Sequence, residues 1–134
     1  MYVSFSRISG PYELDNRRPS KASTVIEVGD ALEDDTGLAP AESDDEIFGI
    51  CLEARASVAN QTGFQYLVIL DRAKFYGLAE AGTFVNTTDT FCDFNSADGL
   101  AADTNSNHDW QVCYVLSTTE SVGKFTHIST SNRL

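Results

Sequence analysis

The sequence predicts an all-β domain, a small β-barrel or β-sandwich led by an extended N-terminal arm. Three observations predict it. Apolar residues come in short runs rich in β-branched and aromatic side chains, alternating as strands do. Gly, Asp and Asn separate these runs at close spacing, as turns between strands do. The 134 residues, 42% of them hydrophobic, supply one continuous core but hardly two.

Residues 1–23 are assigned to the arm and residues 24–134 to the β-domain. The arm carries Gly10-Pro11, Asp15-Asn16 and Arg18-Pro19 with little sustained periodicity, although Val3, Phe5 and Ile8 outline one edge strand. From Thr24 the run Thr24-Val25-Ile26-Glu27-Val28 reads as a strand closed by a turn at Gly29-Asp30. Residues 31–46 collect seven carboxylates around Gly37 and Pro40, the mark of a solvated loop or of two short edge strands joined by a turn. Residues 47–53 alternate Phe48, Ile50 and Leu52 against Gly49, Cys51 and Glu53, which predicts a strand packed mainly on one side.

Residues 54–63 are small and polar and read as a loop or one short helical turn. In residues 65–70, Tyr66, Val68 and Leu70 oppose Leu67 and Ile69, so this is a central strand covered on both faces. A tight Asp71-Arg72 connection leads to a strand over 73–78, and a turn at Gly82 leads to Phe84 and Val85. Further strands are expected over 90–95, 110–117 and 124–129, with a polar loop at 96–109 and a turn at 120–123. Sheet edges in such a fold must be covered, and an intersubunit contact is one way to do it.

Charge limits the partners. A net charge of -11 and a pI near 4.3 set long-range repulsion against nucleic acid and anionic membranes, so neither is expected. No apolar run approaches the roughly 20 residues of a membrane span. The start, Met-Tyr-Val-Ser-Phe-Ser-Arg, lacks the pattern of a signal peptide, so the product is expected to stay where it is made. Asn60-Gln61-Thr62 and Asn86-Thr87-Thr88 then match the glycosylation sequon by chance. Cys51, Cys92 and Cys113 are odd in number, far apart and set in apolar runs, as buried reduced thiols are.

No catalytic constellation is legible. His108 and His127 are the only histidines, no Gly-x-Ser-x-Gly elbow occurs, and neither histidine sits in the context of a base beside its nucleophile. The sharpest motif is Asp103-Thr104-Asn105-Ser106-Asn107-His108-Asp109, with oxygen side chains spaced like the first half of a calcium loop. Its second half is missing, because His108 stands where the turn needs Gly and Tyr114 where it needs Glu. Turn formation explains the loop more economically. The cysteines and histidines lack zinc spacing, and there is no Gly-rich phosphate loop. The expectation is therefore no enzyme, no metal and no cofactor.

The order of motifs is more informative than any one of them. A basic lead-in is followed by Val28-Gly29-Asp30, an acidic loop with Leu38-Ala39-Pro40-Ala41, then Ile47-Phe48-Gly49-Ile50-Cys51-Leu52-Glu53-Ala54. This progression resembles the head decoration, or cement, proteins of tailed bacteriophages, as does Phe91-Cys92-Asp93-Phe94-Asn95-Ser96-Ala97-Asp98-Gly99-Leu100 later on. The resemblance spans roughly residues 24–128. It implies a β-tulip-like domain, a homotrimer, and binding to the outer surface of the major capsid protein lattice, hence a virion protein made in the host cytoplasm. It also implies that the arm docks on the capsid, giving that role to Arg7, Arg17, Arg18 and Lys21, the most basic part of the chain. The alternatives are a small calcium- or ligand-binding β-domain acting through residues 103–109, or another virion component of the tail or head completion.

Overall fold

The computed structural model describes residues 3–21, 25–34, 36–42, 45–54, 61–71, 73–81, 91–95, 99–102 and 109–126. These residues form strands and turns with no helix, in two antiparallel sheets consistent with a small β-sandwich. The strands are β1 (Val3–Ser9), β2 (Tyr12–Asp15), β3 (Ala31–Asp34), β4 (Leu38–Pro40), β5 (Gly49–Cys51) and β6 (Tyr66–Ile69). They continue as β7 (Tyr76–Ala81), β8 (Phe91–Asn95), β9 (Gly99–Ala102), β10 (Trp110–Val115) and β11 (Glu120–Phe125). One sheet has the order β1-β7-β11-β10-β8-β9 and the other β2-β6-β5-β3-β4.

The main core lies between the sheets. Phe5, Phe94, Trp110 and Phe125 from the six-stranded sheet meet Ile50, Leu67 and Ile69 from the five-stranded one. Trp110 is its centre, with ring centroids of Phe5 at 5.1 Å and Phe125 at 5.0 Å, tilted or edge-on as aromatic quadrupoles favour. Gly123 makes room for it. A Cβ there would stand 2.1 Å from the Gln111 carbonyl oxygen and 2.8 Å from the indole, closer than atoms can pack.

A second core covers the outer face of the five-stranded sheet: Ile26, Leu32, Leu38, Phe48, Cys51, Phe64, Tyr66 and Val68. The expected two-sided strand is thus β6, interior in its sheet and buried at all four positions, with Leu67 and Ile69 in one core and Tyr66 and Val68 in the other. Because the sheet is covered on both faces, β5 is as well, which corrects the one-sided strand expected over 47–53. Ile50 enters the main core while Phe48, two residues earlier, enters the second, so strict alternation breaks at Gly49.

Other boundaries moved for local reasons. Of residues 25–28 only Ile26 is buried and bridging, while Val25 and Val28 are exposed, so the β-branched run makes no strand there. The acidic stretch forms two short paired strands, β3 and β4, because Ala31, Leu32 and Leu38 are buried between its carboxylates, but only β4 lies at the sheet edge, since β3 also pairs with β5. The strand expected over 73–78 is β7 at Tyr76–Ala81, displaced by a turn in which the Lys74 amide donates to the Asp71 carbonyl at 3.2 Å. The loop expected over 96–109 contains β9, paired with β8. The last hairpin turns at 116–119, not 120–123, since Ser117 and Glu120 close it with side-chain and backbone bonds, and β11 therefore begins at Glu120. The turn expected at Gly82, with Phe84 and Val85, lies outside the described residues.

The segment expected to be an arm is built into the domain. β1 is an edge strand, as Val3 and Phe5 suggested, but both side chains are buried in the main core, and β1 pairs with β7 over Val3 to Ser9. After Gly10-Pro11 the chain crosses to the other sheet, where β2 pairs with β6. Pro19, Ser20 and Lys21 then run beside β4, with a parallel bridge between Ser20 and Leu38. Apolar spacing too sparse to show as periodicity was enough to anchor it.

Candidate docking surface

The four cations assigned to docking sit on this built-in segment and are held by different partners. Arg7, on β1, donates from Nε to the Gly10 carbonyl at 2.8 Å and stacks 4.4 Å from the Tyr12 ring centroid, bracing the crossing between the sheets. Arg17 pairs with Asp15, Nε to Oδ1 at 2.8 Å, with its own side chain 78% exposed. That guanidinium, aided by the amides of Asn16 and Arg17, holds the Asp15 carboxyl down at about 2.

Arg18 faces inward. Its guanidinium lies 4.6 Å from the Phe48 ring centroid and pairs with Asp34, and its backbone N–H donates to the Tyr66 hydroxyl at 2.9 Å. One residue thus covers the second core, pairs with one carboxylate of the acidic hairpin and satisfies a buried phenol. Burial pushes that phenol up to about 12, so it stays a neutral hydrogen-bonding group. Lys21 is half-buried, and its amide donates to the Leu38 carbonyl at 2.8 Å. The structure therefore does not gather the four cations at one point. Arg7 and Arg17 flank β2, whereas Arg18 and Lys21 serve the second core and the β4 edge.

Of the calcium-like motif, residues 103–108 lie outside the described residues, as does His127. Asp109 is described and buried. Its Oδ2 accepts the Phe94 N–H at 2.9 Å, its amide donates to the Cys92 carbonyl at 3.0 Å, and its carbonyl accepts from Thr126 at 3.1 Å. The carboxylate that would end a metal loop is turned to the backbone of β8. Among the described residues no three His, Cys, Asp or Glu side chains form a group able to hold a metal ion. Cys51 and Cys92 are buried, as their apolar settings suggested, while Cys113, at the register shift in β10, is only half-buried.

The turn expected at Gly29-Asp30 is present, but sequence reasoning did not show that it bonds to both sheets. The Glu27 amide donates to the Asp30 carboxylate at 2.9 Å and the Asp30 amide to the Glu27 carbonyl at 3.1 Å. Gly29 accepts from Phe5 of one sheet at 2.8 Å and donates to Cys51 of the other at 2.9 Å, and the Cys51 amide donates to Asp30 at 2.9 Å. A Gly-Asp dipeptide marks a turn in any sequence, but which strands its backbone bonds will reach is fixed only by the tertiary fold. No family model, curated protein or solved structure matches this chain.

Proposed function

We propose that the chain is a head decoration protein of a tailed bacteriophage. In this reading it binds the outer surface of the major capsid protein lattice as a homotrimer and stabilises the mature head. The observation that carries the reading is that the resembling motifs form one continuous structural unit. Ala41 donates to Ala31 at 2.7 Å, Phe48 to Leu32 at 2.7 Å, and Gly29 and Cys51 bond around the Asp30 turn. Short motifs that together frame one sheet are a more specific signal than the same residues scattered through a chain. A protein without a cluster of metal-ligating groups among its described residues, and with a strongly acidic balance, suits a binding role against protein.

Docking then falls to Arg7 and Arg17, whose heads are exposed beside β2, and many weak copies on one shell add by avidity. The test uses point variants, since removing residues 1–21 would also remove Val3 and Phe5 from the core. Purified protein is titrated onto expanded capsids and co-sedimented. Saturable decoration is expected, weakened in the double variant Arg7→Glu/Arg17→Glu with the fold intact by circular dichroism. Absence of saturable binding by the wild-type chain overturns the proposal, and a monomer mass by ultracentrifugation removes its trimer.

A further inference from the structure

Sheet edges present unpaired amides and carbonyls, and folded proteins normally block them. The five-stranded sheet blocks one of its edges: β4 ends at Pro40 and is covered by residues 19–21, with Leu38 donating to Pro19 at 2.9 Å and accepting from Lys21 at 2.8 Å. In the six-stranded sheet β1 is capped where Phe5 donates to Gly29 and is interrupted by a bulge at Ile8. β2 has neither device. Its register with β6 runs unbroken from Tyr12 to Asp15 and contains no proline.

The direction of its free groups follows from the ladder. Leu70 donates to Pro11 at 3.3 Å while Ile69 donates the other way, to Phe48 of the neighbouring segment, also at 3.3 Å. Bonding in an antiparallel pair alternates, so Glu13 and Asp15 bond inward to β6. Tyr12 and Leu14 therefore aim their N–H and C=O groups outward, and their side chains are 44% and 55% exposed. A second copy is a poor occupant. Pairing antiparallel through Tyr12 and Leu14 sets Glu13 against its counterpart, slipping by two residues one way sets it against Asp15, and both oppose like charges; slipping the other way sets it against Pro11, ahead of the strand, and leaves only Tyr12 to pair.

We propose that the outer edge of β2 is a strand-addition site for an extended segment of a partner protein, one that is apolar opposite Tyr12 and Leu14 and carries Lys or Arg opposite Glu13. Backbone bonds to Tyr12 and Leu14 hold it, and the Glu13 pairing selects it. The proposal stands independently of the capsid reading, since it concerns the edge and not the identity of the shell.

The probe is a short acetylated and amidated peptide centred on Val-Lys-Val, followed by amide NMR. Saturable shifts concentrated at residues 12–15 are expected, several-fold tighter than for the same peptide with Glu replacing Lys, and lost when both valine amides are N-methylated. Leu14→Pro removes an outward N–H while sparing the β2–β6 ladder, so it abolishes binding without unfolding. Glu13→Lys reverses the preference toward the Glu peptide, a readout independent of whether the proline variant folds. Equal binding of both peptides, no saturable binding, or no reversal in Glu13→Lys overturns the proposal. So does a dimer of the free chain that Leu14→Pro dissociates, because the occupant is then a second copy.

Discussion

The amide of Phe5, on the edge strand of one sheet, donates to the carbonyl of Gly29 at 2.8 Å, and Gly29 donates in turn to Cys51 of the other sheet. Gly29 holds this place at φ +91°, and a Cβ would meet the Ser4 hydroxyl oxygen at 2.1 Å. Left-handed strain and steric overlap therefore act together at a turn that ties the sheets.

Gly29→Ala is expected to destabilise the domain by about 2–4 kcal/mol, from backbone strain and overpacking combined. Ser4→Ala removes the hydroxyl but leaves the backbone strain, so the double variant recovers part of the loss. Denaturant unfolding of the four proteins in this cycle checks both statements. An unchanged midpoint in Gly29→Ala would falsify the role of the turn.

Arg17 and Arg18 are adjacent in sequence and differ in what they hold. Arg18→Ala strips the cation from Phe48 and the partner from Asp34, costing about 1–2 kcal/mol. Arg17→Ala breaks only a solvent-facing pair and lowers the melting temperature at neutral pH by less than Arg18→Ala does. Comparable losses in the two variants would contradict the assignment of Arg18 to the second core.

Much of this architecture is legible in the sequence, and the failures have a common physical origin. Tyr66 to Leu70 alternates cleanly because β6 is sandwiched, and its two faces sort into two cores as read. Arg18 gave no such signal. A cation beside a proline in a basic stretch reads as a solvated docking residue, and only the fold, by carrying residues 17–21 across the second core, places it over Phe48. The same holds for Asp109, whose neighbours looked like metal ligands while its own carboxylate serves the backbone of β8. The open edge of β2 was illegible because exposure of Tyr12 and Leu14 depends on which strand ends the sheet. Periodicity reports burial, whereas a site depends on which distant segments meet.

Asp109→Ala leaves the buried Phe94 amide without its acceptor and is expected to cost about 1–3 kcal/mol. Asp109→Asn retains an oxygen at that position and recovers most of the loss. Thermal melts of both variants test this. Equal destabilisation by Ala and Asn would mean that the charge, and not the acceptor, is what the site requires.

The three thiols differ in access. Cys92 is buried and its thiol is pushed up to about 11 by desolvation, so it is both shielded and protonated at neutral pH. Cys51 is buried too, while Cys113 is half-buried. Native protein treated with iodoacetamide at pH 8 should label first at Cys113, with Cys51 and Cys92 reacting only after denaturant is added. Peptide mass mapping reads the order, and early labelling of Cys92 would show that the main core opens at β8.

The acid limb of stability should show two opposing contributions from carboxylates near the N-terminal segment. Asp30 is buried, and desolvation, partly offset by the bond from the Glu27 amide, raises its native pKa above the usual 3.8. Its ionised form is thus the disfavoured one in the native state, so its contribution improves as pH falls from neutral toward 3.8. Asp15 behaves oppositely: the Arg17 guanidinium holds it at about 2 in the native state against 3.8, so its stabilisation is present above 3.8 and lost as pH falls from 3.8 through about 2. Asp30→Asn is therefore expected to raise the melting temperature near pH 7, with the gain fading toward pH 4. Arg17→Ala lowers the melting temperature by a small, pH-independent amount above pH 4 and flattens the fall below it. Melting curves from pH 7 to pH 2 on the wild type and both variants separate the two groups. A gain in Asp30→Asn that grows as the pH is lowered would reverse the sign assigned to that buried carboxyl.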